Sequence, residues 1–343
     1  MRHLLNTLFV LTEDAYLSLK DENVVINQND RILGQIPLIT LENIVYFGYK
    51  GASPALMGAC TKRSVGLCFL TPRGRLLARI SGESRGNVLL RRKQYRLADD
   101  KEGSLSLARN FIVGKLFNSK VILSRGLRDH RMSVDEKKFT DTIHDFSTSI
   151  NCARAAKDKD TLRGIEGNAA HQYFSVVGEL ILRNRESFPF YERVKRPPEG
   201  RVNAMLSFAY TLVAHDCASA LESVGLDAYV GFLHTDRSGR VSLALDLMEE
   251  LRSIIVDRFV LSLINREMIK PDHFTASENN VFRFTDDAKR KFLTAWQEKK
   301  KEEIRHPFLE EKIPWGLVPC TQALLLARYI RGDLNGYPAF LWK

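Results

Sequence analysis

The chain has 343 residues, 44% apolar and 27% charged, which is enough to bury a core and too balanced for a disordered, collagen-like or coiled-coil protein. Length alone suggests about two domains. Lysine and arginine number 51 against 41 aspartates and glutamates, and the resulting net charge of +10 favours a polyanionic partner, either nucleic acid or an anionic membrane surface. No stretch approaches the roughly 20 apolar residues that span a bilayer, and the opening Met1-Arg2-His3-Leu4-Leu5-Asn6 lacks the apolar run and cleavage site of a signal peptide. Five scattered cysteines without a Cys-x-x-Cys pair argue against a disulfide framework or a thiolate zinc site. A soluble, unexported protein of the reducing cytoplasm, with no membrane-spanning segment, is expected.

The first eighty residues read as short strands rich in β-branched and aromatic residues: Thr7 to Leu11, Ala15 to Leu19, Asn23 to Ile26, Gln35 to Ile39 and Asn43 to Phe47. Ser53-Pro54 forms an N-cap with proline at the first helical position and opens a helix toward Arg63. Strands Val65 to Leu70 and Arg75 to Ile80 follow, joined by Pro72-Arg73-Gly74. At Ser81 to Gly86 the apolar spacing changes from alternating to helical, which places a domain boundary there. Helices are predicted at Val88 to Leu97, Leu105 to Leu127, Leu162 to Arg185, Asn203 to Val224, Leu243 to Met268, after Phe284 toward Ile304, and at Thr321 to Ile330. The fold class is therefore α+β, with a small N-terminal β-strand domain at residues 1–83 and a larger all-α domain at 84–343.

Phosphate-loop, dinucleotide, H-E-x-x-H and EF-hand signatures are all missing, so any catalysis must come from dispersed residues. Three places hold polar groups in apolar or small company. In Leu162-Arg163-Gly164-Ile165-Glu166-Gly167-Asn168-Ala169-Ala170 the small residues would let a metal ion or a phosphate backbone approach Glu166; alternatively Glu166 is an acid in a helix's first turn. The apolar run Tyr229-Val230-Gly231-Phe232-Leu233 ends in His234, a metal ligand, a proton carrier or a structural histidine. In Ser242-Leu243-Ala244-Leu245-Asp246-Leu247-Met248-Glu249-Glu250, helical spacing stacks Asp246 with Glu249 or with Glu250. Paired acids in apolar surroundings point to a divalent ion, whereas a solvated acidic turn would need none. Carboxylates with one imidazole suit Mg²⁺ or Mn²⁺, which could polarise a phosphodiester. Basic clusters with aromatics, Arg91 to Arg96, Arg125 with Arg128 and Arg131, and Tyr191 to Arg196, suit a nucleic-acid backbone.

Four ordered motifs resemble the CRISPR-associated endonuclease and integrase family Cas1. They are Leu162 to Gly167 with Tyr173-Phe174, Val202 to Phe208 with Tyr210, Gly231-Phe232-Leu233-His234, and Ser242 to Glu250. The resemblance covers the whole chain and lies nearest the subtype I-C branch. It implies a catalytic metal site of Glu166, His234 and Glu249 with Asp246 beside it as an auxiliary acid and Glu250 as a weaker candidate for the last ligand. Many relatives carry aspartate where Glu249 stands, so the reach of that ligand differs by one methylene. The resemblance further implies insertion of short foreign DNA as new CRISPR spacers by metal-assisted transesterification. It also implies a homodimer formed through the strand domain, with the larger domain catalytic, and assembly with a dimer of the small Cas2 protein into a heterohexamer. Apolar strand surface around Ile36 to Phe47 would fit that dimer. Proximity to the motifs adds Arg237, Arg240 and Arg252 as DNA-positioning candidates. A basic, non-catalytic DNA-binding scaffold and a hydrolase of small phosphate esters are the alternative functions.

Overall fold

The computed structural model describes residues 6–12, 14–29, 31–72, 74–80, 87–195, 197–277 and 280–342. The expected boundary at 81–86, Arg73 of the turn and Arg196 of the last basic cluster lie outside them. In chain order come β1 (Thr7–Val10), β2 (Tyr16–Lys20), β3 (Asn23–Gln28), β4 (Arg31–Pro37), β5 (Asn43–Phe47), α1 (Pro54–Lys62), β6 (Gly66–Leu70) and β7 (Leu76–Ile80). Next are α2 (Val88–Asp99), α3 (Lys101–His130), α4 (Glu136–Ala155), α5 (Lys159–Val177), α6 (Arg201–Ser223), α7 (Ser242–Glu249), a π-helical turn (Arg252–Asp257) and α8 (Arg258–Asn265). The chain closes with the hairpin β8 (Phe274–Ser277) and β9 (Val281–Phe284), α9 (Asp286–Lys301), the pair β10 (Glu303–Arg305) and β11 (Lys312–Pro314), and α10 (Val318–Arg331). Two compact units result: Met1–Gly86 with Asp286–Glu302, and Asn87–Thr285 with Glu303–Lys343.

In the first unit β1, β5, β6 and β7 form one sheet in the order β1-β5-β6-β7, and β2, β3 and β4 form an antiparallel meander. Strand β5 runs parallel to both β1 and β6, so its link to β6 must cross over, and α1 is that crossover. Ser53 caps α1 by accepting the Leu56 N–H at 3.2 Å. The near-continuous apolar runs of β5 and β6 mark strands covered on both faces, and Ile44, Tyr46, Leu67 and Phe69 form the core with Leu17, Val24 and Leu56. Within the expected apolar surface around Ile36 to Phe47, Ile44 to Phe47 are interior whereas Ile39 is exposed; Ile32 and Leu33 on β4 are among the other exposed apolar residues of this unit. Helix α9 belongs to this unit although it follows about 200 residues of the other: Trp296 is buried and Gln297 donates to the Thr7 carbonyl at 3.0 Å.

The second unit is helical, with α3 packed against α4, α5, α7 and the π turn. It also carries the two short hairpins, so it is not purely helical. Helix α4 was not predicted, yet Phe139, Thr142, Phe146, Ile150 and Ala153 line its buried face at helical spacing, and Asp135 caps it by accepting the Lys138 N–H. The segment expected as one helix from Leu243 to Met268 is broken after Glu249. There the buried Asn118 amide donates to the Glu250 carbonyl at 2.7 Å, diverting it from the helical ladder, and a wider π turn follows. The helix predicted over Leu162 to Arg185 stops at Val177 and a single 3₁₀ turn. No described helix is long and apolar enough to cross a membrane.

Candidate active site

Helix α7 and the residue that caps its end carry three acids that serve three different ends. Asp246 is wholly buried. Its Oδ2 accepts the backbone N–H groups of Phe232 at 2.6 Å and Leu233 at 2.9 Å, while Oδ1 accepts that of His234 at 3.0 Å and lies 2.6 Å from His234 Nδ1. Gly231 makes this approach possible, because a Cβ there would lie 2.8 Å from the Ser242 Cβ and 2.9 Å from Asp246 Oδ2. An ionised carboxylate only accepts, so Nδ1 must carry the hydrogen and Nε2 presents its lone pair. Asp246 thus holds the His234 ring rather than standing free beside it. The Nε2 atom lies 4.0 Å from Glu249 Oε1.

Glu249 is almost completely buried among cations: its Oε2 is 2.8 Å from Lys115 Nζ, and its Oε1 is 3.0 Å from the Arg252 guanidinium. Burial pushes the Glu249 carboxyl up, but the Arg252 and Lys115 cations outweigh it and hold its pKa at about 2. Lys115 also pairs with Glu166 Oε1, so its ammonium bridges the two glutamates. Burial pulls Lys115 down, and Glu249 and Glu166 more than restore it, leaving it raised.

Glu166 does not occupy a helix's first turn. Asp158 is the N-cap of α5 and Asp160 its first-turn acid, while Glu166 lies farther along the helix. A Cβ on Gly164 or Gly167 would meet nothing within 4 Å, so the helix surface beside Glu166 is open, as the small residues predicted. Glu250 is turned elsewhere. Its Oε2 accepts the Phe340 N–H at 2.7 Å and the Gln322 side-chain amide at 2.9 Å, and burial raises its pKa to about 8. This places its carboxyl against the C-terminal segment and not with His234 and Glu249.

Of the three arginine candidates, Arg252 reaches the site, whereas Arg237 is exposed and Arg240 half-buried on the turn after His234. The Arg252 guanidinium lies 5.3 Å from the Tyr210 ring, whose other cation is Arg193 at 5.5 Å. The Tyr210 hydroxyl donates to Asp257 at 2.5 Å, and burial lifts the Asp257 carboxyl to about 6. Parts of the basic clusters are bound internally: Tyr95 donates to Asp227 at 2.8 Å, Arg125 stacks on Trp342 at 3.9 Å, and Arg128 and Arg131 pair with Asp129 and Glu136. Tyr191 is exposed.

Sequence reasoning missed Lys115 and Asn118, both on α3. The readable signal was Lys115 itself, the one charge between Arg109 and Lys120 in the run Phe111-Ile112-Val113-Gly114-Lys115-Leu116-Phe117. Two carboxylates and an imidazole Nε2 are a donor set for a hard divalent ion such as Mg²⁺ or Mn²⁺. The 4.0 Å between His234 Nε2 and Glu249 Oε1 admits an ion held at about 2.1 Å from each. As they stand, no three such donors among the described residues converge on one point, and the Lys115 ammonium lies between Glu166 and Glu249.

A family model described as CRISPR associated protein Cas1 matches residues 8–298. "CRISPR-associated endonuclease Cas1 1" of Chlorobaculum tepidum is 49% identical over 343 residues, covering all of both chains. Among solved structures, a casposase bound to integration product superimposes with a TM-score of 0.85 at 22% identity, covering 98% of this chain and 94% of that one. A Cas6-RT-Cas1–Cas2 complex gives 0.80 at 20% identity, covering 98% of this chain and 36% of that one.

Proposed function

Because the chain belongs to the Cas1 family of CRISPR-associated proteins, we propose that it is a metal-dependent DNA endonuclease and integrase that inserts short foreign DNA fragments into a CRISPR array as new spacers. The observation that carries this reading is that Glu166 and Glu249, from separate helices, share the Lys115 ammonium, while His234 Nε2 from a third stretch of chain lies 4.0 Å from Glu249 Oε1. In this reading Glu166, His234 Nε2 and Glu249 hold Mg²⁺ or Mn²⁺, which when bound supplies the Lewis acidity that polarises a phosphodiester and lowers the pKa of the attacking hydroxyl. Asp246 keeps the His234 ring in the tautomer and orientation that a ligand needs. Arg252 keeps Glu249 ionised, and in this reading its charge also helps to position the phosphate. Transesterification makes one phosphodiester for each one broken, which accords with a chain carrying no nucleotide-binding loop.

The net charge of +10 supports duplex DNA as substrate, bound chiefly through phosphates. Ile32, Leu33 and Ile39 offer apolar surface for the homodimer through the strand unit, residues 1–83 of the expected division, while 84–343 hold the catalytic residues. Assembly with a Cas2 dimer into a heterohexamer, a cytoplasmic setting and subtype I-C complete the reading.

The test is joining of a labelled duplex with free 3′-hydroxyls to a supercoiled plasmid carrying the repeat, with and without Cas2, in Mn²⁺, Mg²⁺ or EDTA. Metal-dependent joined product that disappears in Glu166→Ala, His234→Ala and Glu249→Ala is the expected result. Tight, salt-sensitive binding indifferent to EDTA, with no joining or cleavage, would favour the scaffold.

A further inference from the structure

Lys115 sits on α3 with an ammonium shared by two acids from different helices, Glu166 of α5 and Glu249 of α7. Its side chain is 12% exposed and that of Glu249 4%, so the pair is screened little by solvent. An ammonium and a divalent ion cannot share the space between two carboxylates, since both are cations in a poorly solvated place. Lysine is suited to leave, because its compact charge rides on a flexible four-carbon stem.

Beside it lies a cavity of about 30 Å³, lined by Lys115, Ser119, Tyr210, Arg252, Ser253 and Asp257 among others. That volume admits a group the size of a water molecule or an ammonium. Ser253 Oγ is buried without a hydrogen-bond partner, and the Asp257 carboxylate also lines the cavity. A lysine withdrawn into it would meet one free acceptor and one acid, set against the Arg252 guanidinium that lines the same cavity.

We propose that Lys115 is an internal cation that fills the seat between Glu166 and Glu249 in the metal-free protein and withdraws toward Ser253 and Asp257 when a divalent ion enters. This inference rests on the metal site proposed above. It makes Lys115 a positioning residue that sets metal affinity, with a sign opposite to that of a residue that merely supports the site. Apparent affinity is the intrinsic affinity reduced by the fraction of molecules whose seat is open.

The experiment is Mn²⁺ binding to the full-length, DNA-free protein, followed by calorimetry and by loss of the free-ion electron paramagnetic resonance signal. Lys115→Met, and Lys115→Gln as a variant that keeps a donor for the carboxylates, are expected to bind Mn²⁺ about tenfold more tightly than wild type, as for a seat open in about one molecule in ten. Lys115→Arg keeps the charge and is expected to show no gain. Asp257→Asn removes the charge that receives the withdrawn lysine and is expected to weaken Mn²⁺ binding. If wild type binds Mn²⁺ and neither neutral Lys115 variant binds it more tightly, this inference fails while the metal site stands. If neither wild type nor the Lys115 variants bind Mn²⁺ at millimolar concentration, the metal site fails and takes the inference with it.

Discussion

Replacing Asp246 with asparagine changes one oxygen to an NH₂ group and leaves the shape almost intact, so its effect isolates hydrogen-bond polarity. The native carboxylate receives the N–H groups of Phe232, Leu233 and His234 and the hydrogen on His234 Nδ1. An amide has only one accepting end. With its oxygen toward Phe232 and Leu233, the His234 N–H loses its acceptor, at a cost of about 1–3 kcal/mol. In that orientation the NH₂ group also faces Nδ1, which can accept only if the ring proton moves to Nε2. The reverse orientation strands the Phe232 and Leu233 N–H groups together and costs about twice as much. The first orientation wins, and it removes the Nε2 lone pair. Restoring that lone pair for a metal sets Nδ1–H against the amide NH₂, another 1–3 kcal/mol or so, which weakens Mn²⁺ binding about 10- to 100-fold. Urea unfolding and Mn²⁺ titration of Asp246→Asn would measure the two costs separately. A variant within about 0.5 kcal/mol of wild-type stability and about twofold of its Mn²⁺ affinity would refute the reasoning.

Glu250 yields a pH prediction of opposite character from Glu249. Its folded pKa of about 8 lies above the ordinary carboxyl value, so the folded chain keeps a proton that the unfolded chain releases; stability falls as pH rises from about 5 toward 8, by about 1 kcal/mol per unit. Glu250→Gln should abolish that slope in denaturant unfolding and cost little below pH 5, and an unchanged slope would discount the buried acid. Asn118→Ala removes the amide that bonds the Glu250 and Phe340 carbonyls and accepts the Trp342 N–H, and should lower stability by about 2–4 kcal/mol in urea titration. A loss below about 0.5 kcal/mol would show the clamp to be idle. Gly231→Ala should leave the helical circular dichroism intact but cut strand transfer at least tenfold or so, because its Cβ meets Ser242 and Asp246 and moves the His234 loop; full activity would mean that the loop yields without cost.

The acids and the imidazole of the site were legible because each stands in a short motif among apolar or small neighbours. Their division of labour was not, since three acids within five residues at the end of α7 look equivalent until their partners are known. Those partners come from far along the chain: Lys115 and Asn118 from α3, Gln322 from α10 and Phe340 from the C-terminal segment. Local spacing carries no record of such pairings. The strand-then-helix layout was readable from the change in apolar period, and the break after Glu249 was not, because a side-chain amide from another helix causes it. Helix α4 escaped notice for a different reason: its buried positions recur correctly, but threonines and isoleucines dilute the helical signal.

The return of α9 to the strand unit has a consequence for synthesis. Residues 1–86 leave the ribosome early, yet the helix that buries Trp296 and bonds the Thr7 carbonyl follows about two hundred residues later. During translation the strand unit therefore waits for its last piece while the helical unit elongates, holding apolar surface open for tens of seconds at ordinary elongation speeds. A nascent chain of this kind is a natural client for chaperones that bind exposed apolar segments. An N-terminal fragment ending near residue 86 would be a partial unit, not a shortened whole one.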